Sequence, residues 1–291
     1  MLVLFKITYD KGLNFKLKIE NINELKKIAN NLRIDIVNQI YWAQSGHPGG
    51  ALSIADIMAV LFFYQMNIES DNPNWYERDR LVLSKGHSSS ALYAALAERG
   101  FIEKEELKSF RKINSRLQGH PDCNKLPGVD MTGGSLGQGL SIANGMAIAS
   151  KLNKLKNRIY CILGDGECEE GQIWEAAMSA SKYHLDNLWV ILDNNNLQID
   201  GTIREVKAVS LLEEKWKSFG FFVEKCNGNS IEELVETFNK LKNINGKPAI
   251  IICNTVKGKG VSFMENKVSW HGKAPNEEQY NLAMEEINSK F

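Results

Sequence analysis

A short apolar strand, residues 159–163, runs straight into Gly164-Asp165-Gly166-Glu167, and a second, residues 188–192, runs into Asp193-Asn194-Asn195-Asn196. A helical stretch over 169–183 lies between them. This unit leaves the chain little freedom. Parallel neighbouring strands joined by a crossover helix end at the same edge of a sheet. Asp165 and the asparagine run are therefore expected to meet at the carboxyl ends of adjacent strands, where open α/β sheets bind ligands.

The same alternation continues on either side. Ile22, Leu25, Ile28, Leu32, Ile36 and Ile40 recur at helical spacing and predict an amphipathic helix. Ser45-Gly46-His47-Pro48-Gly49-Gly50 reads as a loop that no helix crosses. Ser53 and Asp56 resemble a capping box for the next helix, to about residue 65. After a polar connection over 72–80, a strand over 81–83 ends at Ser84-Lys85-Gly86-His87. A helix over 89–99 closes on Gly100 as its C′ residue. A short helix over 103–111 and a loop over 115–128 come next. Residues 133–139 are glycine-rich and open a helix lined by Ala143, Gly145, Ala147 and Ala149, suited to close packing. Beyond the Gly-Asp-Gly unit the pattern predicts helices over 211–219 and 231–241 and strands over 221–224 and 249–253. The last strand enters Thr255-Val256-Lys257-Gly258-Lys259-Gly260. The fold class expected is α/β, a mostly parallel sheet covered by helices on both faces. Residues 19–291 are expected to form one domain that ends in a helical stretch over 277–290, and residues 1–18 fall outside the pattern.

The residue types at the strand ends suit one task. Mg²⁺ takes oxygen ligands in near-octahedral geometry and usually shares them with phosphates. Asp165 offers a carboxylate, an asparagine an amide oxygen, and a backbone carbonyl a third ligand. Gly164 and Gly166 are expected to let a phosphate approach the backbone, and the helix that follows to point its positive end at it. A lone Gly-Asp-Gly is more often a solvated turn; its pairing with an asparagine run at this spacing favours a magnesium–diphosphate site.

Composition excludes several other classes. The 291 residues carry 35 basic and 35 acidic side chains, so no charge excess points to nucleic acid or to an anionic membrane surface. No apolar run approaches a membrane span, and Lys6 and Asp10 interrupt the only apolar start that could resemble a signal peptide. Five scattered cysteines lack Cys-x-x-Cys spacing, which leaves zinc and redox motifs unsupported and makes a reducing cytoplasm the simplest home.

Of five histidines, four sit in glycine-bearing loops: His47, His87, His120 and His271. Imidazole moves protons and donates to hydroxyl or phosphate oxygens near neutral pH. Metal ligation is the rival reading, but the spacing matches no zinc motif. His184 falls on the back half of a helix and reads as an ordinary surface or packing residue.

Gly-Asp-Gly followed by Asn-Asn at this spacing resembles the diphosphate motif of thiamine-diphosphate enzymes. From about Leu25 to Pro275 the chain is similar to the N-terminal half of a transketolase. The resemblance implies thiamine diphosphate with Mg²⁺, for which Ca²⁺ or Mn²⁺ can stand in. It implies Asp165, Asn195 and the Leu197 carbonyl as metal ligands, the register being set by Leu197-Gln198-Ile199-Asp200-Gly201. It places His87 and Gly166 by the diphosphate, and Gly134, Ser135 and Leu136 against the cofactor rings, with Ser135 standing where the family often has proline. His47 and His120 would meet the sugar, His271 both sugar and diphosphate, and Glu170 would link two active sites across a dimer. Catalytic roles would fall to His47, His271, His120 and Glu170. The reaction implied moves a two-carbon glycolaldehyde unit from a ketose phosphate to an aldose phosphate.

In that family the carboxylate that activates the aminopyrimidine, and most of the acceptor-phosphate contacts, belong to the C-terminal half. The chain is therefore expected to be one subunit of a split transketolase, active with a C-terminal, pyrimidine-binding partner in an α2β2 complex that acts on sugar phosphates. The alternatives are a deoxyxylulose-phosphate synthase-like transferase, a split transketolase for an unusual sugar, and the α subunit of a 2-oxo acid dehydrogenase E1. The last would not be expected to carry the loops of His47, His87 and His120. A non-catalytic thiamine-binding protein is disfavoured by the presence of Asp165, Glu170 and all four histidines.

Overall fold

The computed structural model describes residues 18–207 and 209–290, so the segment left unassigned from sequence lies outside it except for Lys18. Five parallel strands form one sheet in the order β1-β2-β3-β5-β4. They are β1 (Arg80–Leu83), β2 (Ile159–Gly164), β3 (Leu188–Asn194), β4 (Phe222–Asn227) and β5 (Ala249–Asn254). The central three are almost wholly buried, as expected of apolar runs covered on both faces.

Alternate strand residues feed two cores. Tyr160, Ile162, Trp189, Ile191 and Ile251 pack under α1 (Ile22–Ala43), α3 (Ala55–Val60), α4 (Ser89–Glu98) and α9 (Ile231–Leu241). Cys161, Leu163, Val190, Leu192 and Ile250 face α5 (Gln138–Leu152), α6 (Gly171–Lys182) and α8 (Leu212–Ser218). The remaining helices are α2 (Pro48–Leu52), α7 (Ile203–Val206) and α10 (Glu277–Asn288). Helix α1 starts where Asn21 Oδ1 accepts the N–H groups of Asn23 and Glu24, and α10 starts on an Asn276–Gln279 capping box.

Four local expectations change. The Gly-His-Pro-Gly-Gly stretch is not all loop: Pro48 occupies the first turn of α2, where its missing N–H costs nothing. Ser53 and Asp56 make no capping box. Ser53 Oγ donates to the Gly50 carbonyl (3.0 Å) and to Asp193 (2.7 Å), while Asp56 accepts from Arg33 and from Asn229 (3.0 Å). Buried polar partners outcompete the local cap. The segment after Asp165 is a single 3-10 turn, Gly166–Glu169, and α6 begins only at Gly171, so no long helix dipole starts at Gly166. Finally, the small residues of α5 divide between two faces: Ala143 and Ala147 are buried, Gly145 and Ala149 exposed.

Candidate active site at the carboxyl edge of the sheet

Every strand is parallel, so the loops after β1, β2, β3 and β5 converge at one edge. Gly164 pairs with Asp193 in the register of β2 and β3, which sets Asp165 beside the chain that carries Asn195. Asp165 Oδ1 accepts the Gly166 N–H (2.9 Å) and Oδ2 accepts that of Asn196. Asn196 reaches it with its backbone from a left-handed position (φ 62°). Asn194 turns away to Asn254 on β5 (2.9 Å). Asn195 is buried; its Nδ2 donates to Asp193 (3.0 Å) and its Oδ1 accepts the Leu197 N–H (3.1 Å).

Asp165 is 2% exposed and makes no ion pair among the described residues. Burial, then the neighbouring Asp193 charge, pushes its carboxyl up to about 7. A carboxylate so placed lacks a cation. The Leu197 carbonyl already receives one, from Lys257 Nζ (3.3 Å). One carboxylate, one amide oxygen and one carbonyl are donors of the hard oxygen type that would suit Mg²⁺. Among the described residues no three His, Cys, Asp or Glu side chains are grouped to hold a metal, so the histidines form no such set.

A Cβ at Gly164 would meet only ordinary contacts at 3.8 Å, and one at Gly166 would press on Gln198 Cβ at 3.2 Å. Gly166 thus seats the 3-10 turn against the 197–203 loop.

Three histidines cluster beside this edge. His47 caps α2, His87 follows β1 and His271 follows the turn Val268–Trp270; their ring centroids lie 5.3–5.5 Å apart. Burial, followed by nearby cations, holds His47 and His271 at about 4 and His87 well below its usual value. All three are therefore neutral at pH 7. His271 Nδ1 faces Lys257 Nζ at 3.0 Å; an ammonium can only donate, so the His271 ring proton sits on Nε2. His120 is exposed, its ring 3.4 Å from where a Gly134 Cβ would stand. Gly134, Ser135 and Leu136 are exposed, and Gly86 packs against the backbone of Gly133 and Gly134. Glu170 is exposed at the start of α6, its Cβ 2.9 Å from where a Gly137 Cβ would stand.

Sequence reading overlooked the charges that organise the site. Lys85, 2% exposed, is paired with the fully buried Asp193 and donates to the Gly50 carbonyl (2.7 Å). Burial would raise Asp193, but Lys85 and the bonds from Thr255 and Ser53 keep it below its usual value. Glu167 accepts from Ser84 and from the N–H groups of Gly137 (2.9 Å) and Gly164 (3.1 Å), tying three loops together. Lys257 is buried, and burial, with Lys85 nearby, lowers it to about 8. The available signal was a lysine inside each of two glycine-bearing strand-end loops. Lys85 is matched by Asp193, whereas Lys257 and Arg111 make no ion pair among the described residues.

The family profile described as "Transketolase, thiamine diphosphate binding domain" matches residues 24–288. The chain is 45% identical over 267 residues to the 6-deoxy-6-sulfo-D-fructose transketolase subunit of a Clostridium species, covering 92% of this chain and 97% of that one. It is 41% identical over 268 residues to an apulose-4-phosphate transketolase subunit from Phocaeicola vulgatus, covering 92% and 94%. The crystal structure of the Campylobacter jejuni transketolase superposes with a TM-score of 0.87 at 36% identity; it shares 92% of this chain but only 43% of its own.

Proposed function

The chain belongs to the transketolase family, whose thiamine-diphosphate-binding domain it carries, and we propose that it works as one subunit of a two-chain transketolase. With a C-terminal, pyrimidine-binding partner it transfers a glycolaldehyde unit from a ketose phosphate to an aldose phosphate. The observation that carries this reading is the juxtaposition of the Asp165–Asn195–Leu197 oxygen set with a neutral histidine trio and the buried cation Lys257. Thiamine diphosphate, when bound, supplies the carbon nucleophile that carries the two-carbon unit.

The chain's own residues do the rest. Asp165, Asn195 and the Leu197 carbonyl hold Mg²⁺. His87, His271, Lys257 and the Gly166 turn bind the diphosphate. The segment Gly134-Ser135-Leu136 lies along the cofactor rings. His47, His120 and His271 contact the sugar hydroxyls and carbonyl; being neutral, they donate hydrogen bonds without repelling Lys257 and Arg111. Glu170, exposed beside Gly137, faces a second copy and links two active sites in an α2β2 complex. Residues 19–291 form the single cofactor-binding domain. Five free thiols, including Cys226 and Cys253 unbonded at 3.9 Å, suit a reducing cytoplasm. Among the described residues no helix is long and apolar enough to cross a membrane.

A second reading is favoured by the names of two relatives, a sulfosugar and a branched-sugar transketolase subunit. In this reading the ketose is an unusual one and the chemistry is unchanged. The test is to purify the chain with its partner and measure ketol transfer across a panel of ketose donors with and without Mg²⁺. No transfer from any donor by the complex overturns the assignment.

A further inference from the structure

Arg111 lies in none of the loops that sequence marks as functional. It follows the turn Lys104–Ser109 at a left-handed position (φ 58°) that non-glycine residues seldom adopt, its N–H donating to the Leu117 carbonyl (2.8 Å). This backbone swings the side chain against the loop of His120. A Cβ at Gly119 would stand 2.9 Å from Arg111 Cζ, so the bare glycine leaves the guanidinium its room. From there Nη1 donates to Ser45 Oγ (3.1 Å) and Nη2 meets His47 Nδ1 (3.3 Å), while the buried Nε has no partner. Among the described residues Arg111 has no acidic partner at ion-pair distance.

A guanidinium has five N–H donors, no acceptor, and does not lose its proton. The nitrogen it faces must be bare. A neutral imidazole carries one ring proton, which in His47 is then on Nε2, the edge that looks towards Gly272. The charged and titratable groups facing His47 are Arg111, His120 and Lys257, with the rings of His87 and His271 at 5.3 and 5.5 Å; none is acidic.

We propose that Arg111 is a positioning residue that fixes His47 as the Nε2–H tautomer, so that His47 meets the sugar as a hydrogen-bond donor and not as a base. To accept a proton at Nε2, the ring would have to carry its own proton on Nδ1, against the donors of Arg111. The donor role rests on the reading of His47 as a sugar contact; the tautomer does not, and the two are tested separately.

The full chain has only five histidines, so ring ¹⁵N spectra of histidine-labelled protein resolve His47, assigned by its absence in His47→Gln. The expected spectrum shows a protonated Nε2 and a bare Nδ1, unchanged from about pH 6 to 8. Arg111→Met should populate the second tautomer and raise the His47 titration midpoint by about one pH unit. Arg111→Lys, whose ammonium also only donates, should restore the single tautomer. Gly119→Ala, which displaces the guanidinium from the opposite side, should reproduce the Met spectrum in a chain that keeps Arg111. A wild-type ring protonated on Nδ1, or a spectrum indifferent to Arg111→Met and Gly119→Ala, overturns the proposal. In the complex with its partner, Arg111→Met should lower kcat about tenfold with cofactor affinity unchanged. Full turnover by the His47→Ala complex, which has no side-chain donor at this position, overturns the donor role, whatever the tautomer.

Discussion

Asp165 is a carboxylate placed where ionisation is costly, and that cost would shape how it binds the proposed metal. Burial and Asp193 hold it near pH 7, so below that pH a proton competes with the cation, and metal binding releases the proton. Affinity for Mg²⁺ with thiamine diphosphate should be flat above pH 7 and fall towards about tenfold per unit below it. Calorimetry at pH 6 and pH 8 in buffers of different ionisation heat reads both the affinity and the released proton. Equal affinity at both pH values would remove Asp165 from the metal set. Asn195→Ala should weaken binding, whereas Asn194→Ala, whose side chain is spent on Asn254, should do much less. At His47 the split runs the other way: His47→Ala should lower kcat roughly 10²-fold, the cost of one lost donor, while leaving cofactor affinity intact. Steady-state kinetics on the complex decide this, and normal turnover with weakened cofactor binding would move His47 to the diphosphate. At this scale sequence showed the groups that come with punctuation. Asp165 and the histidines sit among glycines and prolines, which mark strand ends. Arg111, Lys85, Lys257 and Asp193 were harder to see because their meaning lies in pairings across 60 to 140 residues, such as Asp193 with Ser53 and Lys85 and Lys257 with the Leu197 carbonyl, which no local pattern encodes.

At the scale of the element, the three central strands were legible because each is a short apolar run buried on both faces, and the long helices because of their apolar faces; β4, at the sheet edge, is only partly buried. What sequence misjudged was short. Helix α2 is five residues of proline, glycine and small side chains, held by its position over Lys85 and Lys257, and propensity argues against it. The Ser53–Asp56 cap was lost to partners on β3, α1 and the loop after β4. The two glycines of α5 show how unlike superficially similar positions can be. Gly139 lies against β1: an added Cβ would collide with Ser84 Oγ and come within 2.8 Å of its Cα, and backbone cannot yield cheaply. Gly139→Ala should cost about 1–3 kcal/mol and loosen the Ser84–Glu167 contact. Gly145 has nothing within 4 Å, and Gly145→Ala should stabilise the lone chain by up to about 1 kcal/mol. Thermal melts of both variants check the pair, and a neutral Gly139→Ala would show that α5 does not pack on β1 as described.

For the whole molecule, the question is which parts of the active site this chain can complete by itself. Its carboxylates at the sheet edge are engaged. Asp193 is bound by Lys85, Ser53 and Thr255; Glu167 by Ser84, Gly137 and Gly164; and Asp165 by the N–H groups of Gly166 and Asn196. None of these three would be free to serve the aminopyrimidine N1′ of a bound cofactor. Glu170 is exposed instead, near the face of α5 that carries Ile142, Gly145, Ala149 and Leu152; Leu152 is 78% exposed, and Met178 and Tyr183 on and after α6 are more than half exposed. If a second copy packs across this face, two Glu170 side chains would come towards a common axis. Two outcomes follow. Gly145→Trp, which fills the open side of α5, should leave the fold intact but shift the chain towards monomer in sedimentation experiments. The purified chain should bind Mg²⁺ and the diphosphate end of the cofactor weakly, yet catalyse neither exchange of the thiazolium C2 proton for deuterium nor ketol transfer. Both activities should appear together when the pyrimidine-binding partner is added, saturating at one partner per chain. C2 exchange reads the missing carboxylate directly because it precedes any sugar chemistry. Exchange by the lone chain at the rate of the complex would mean that one of its own carboxylates reaches N1′, and the division of labour between two chains would then have to be abandoned.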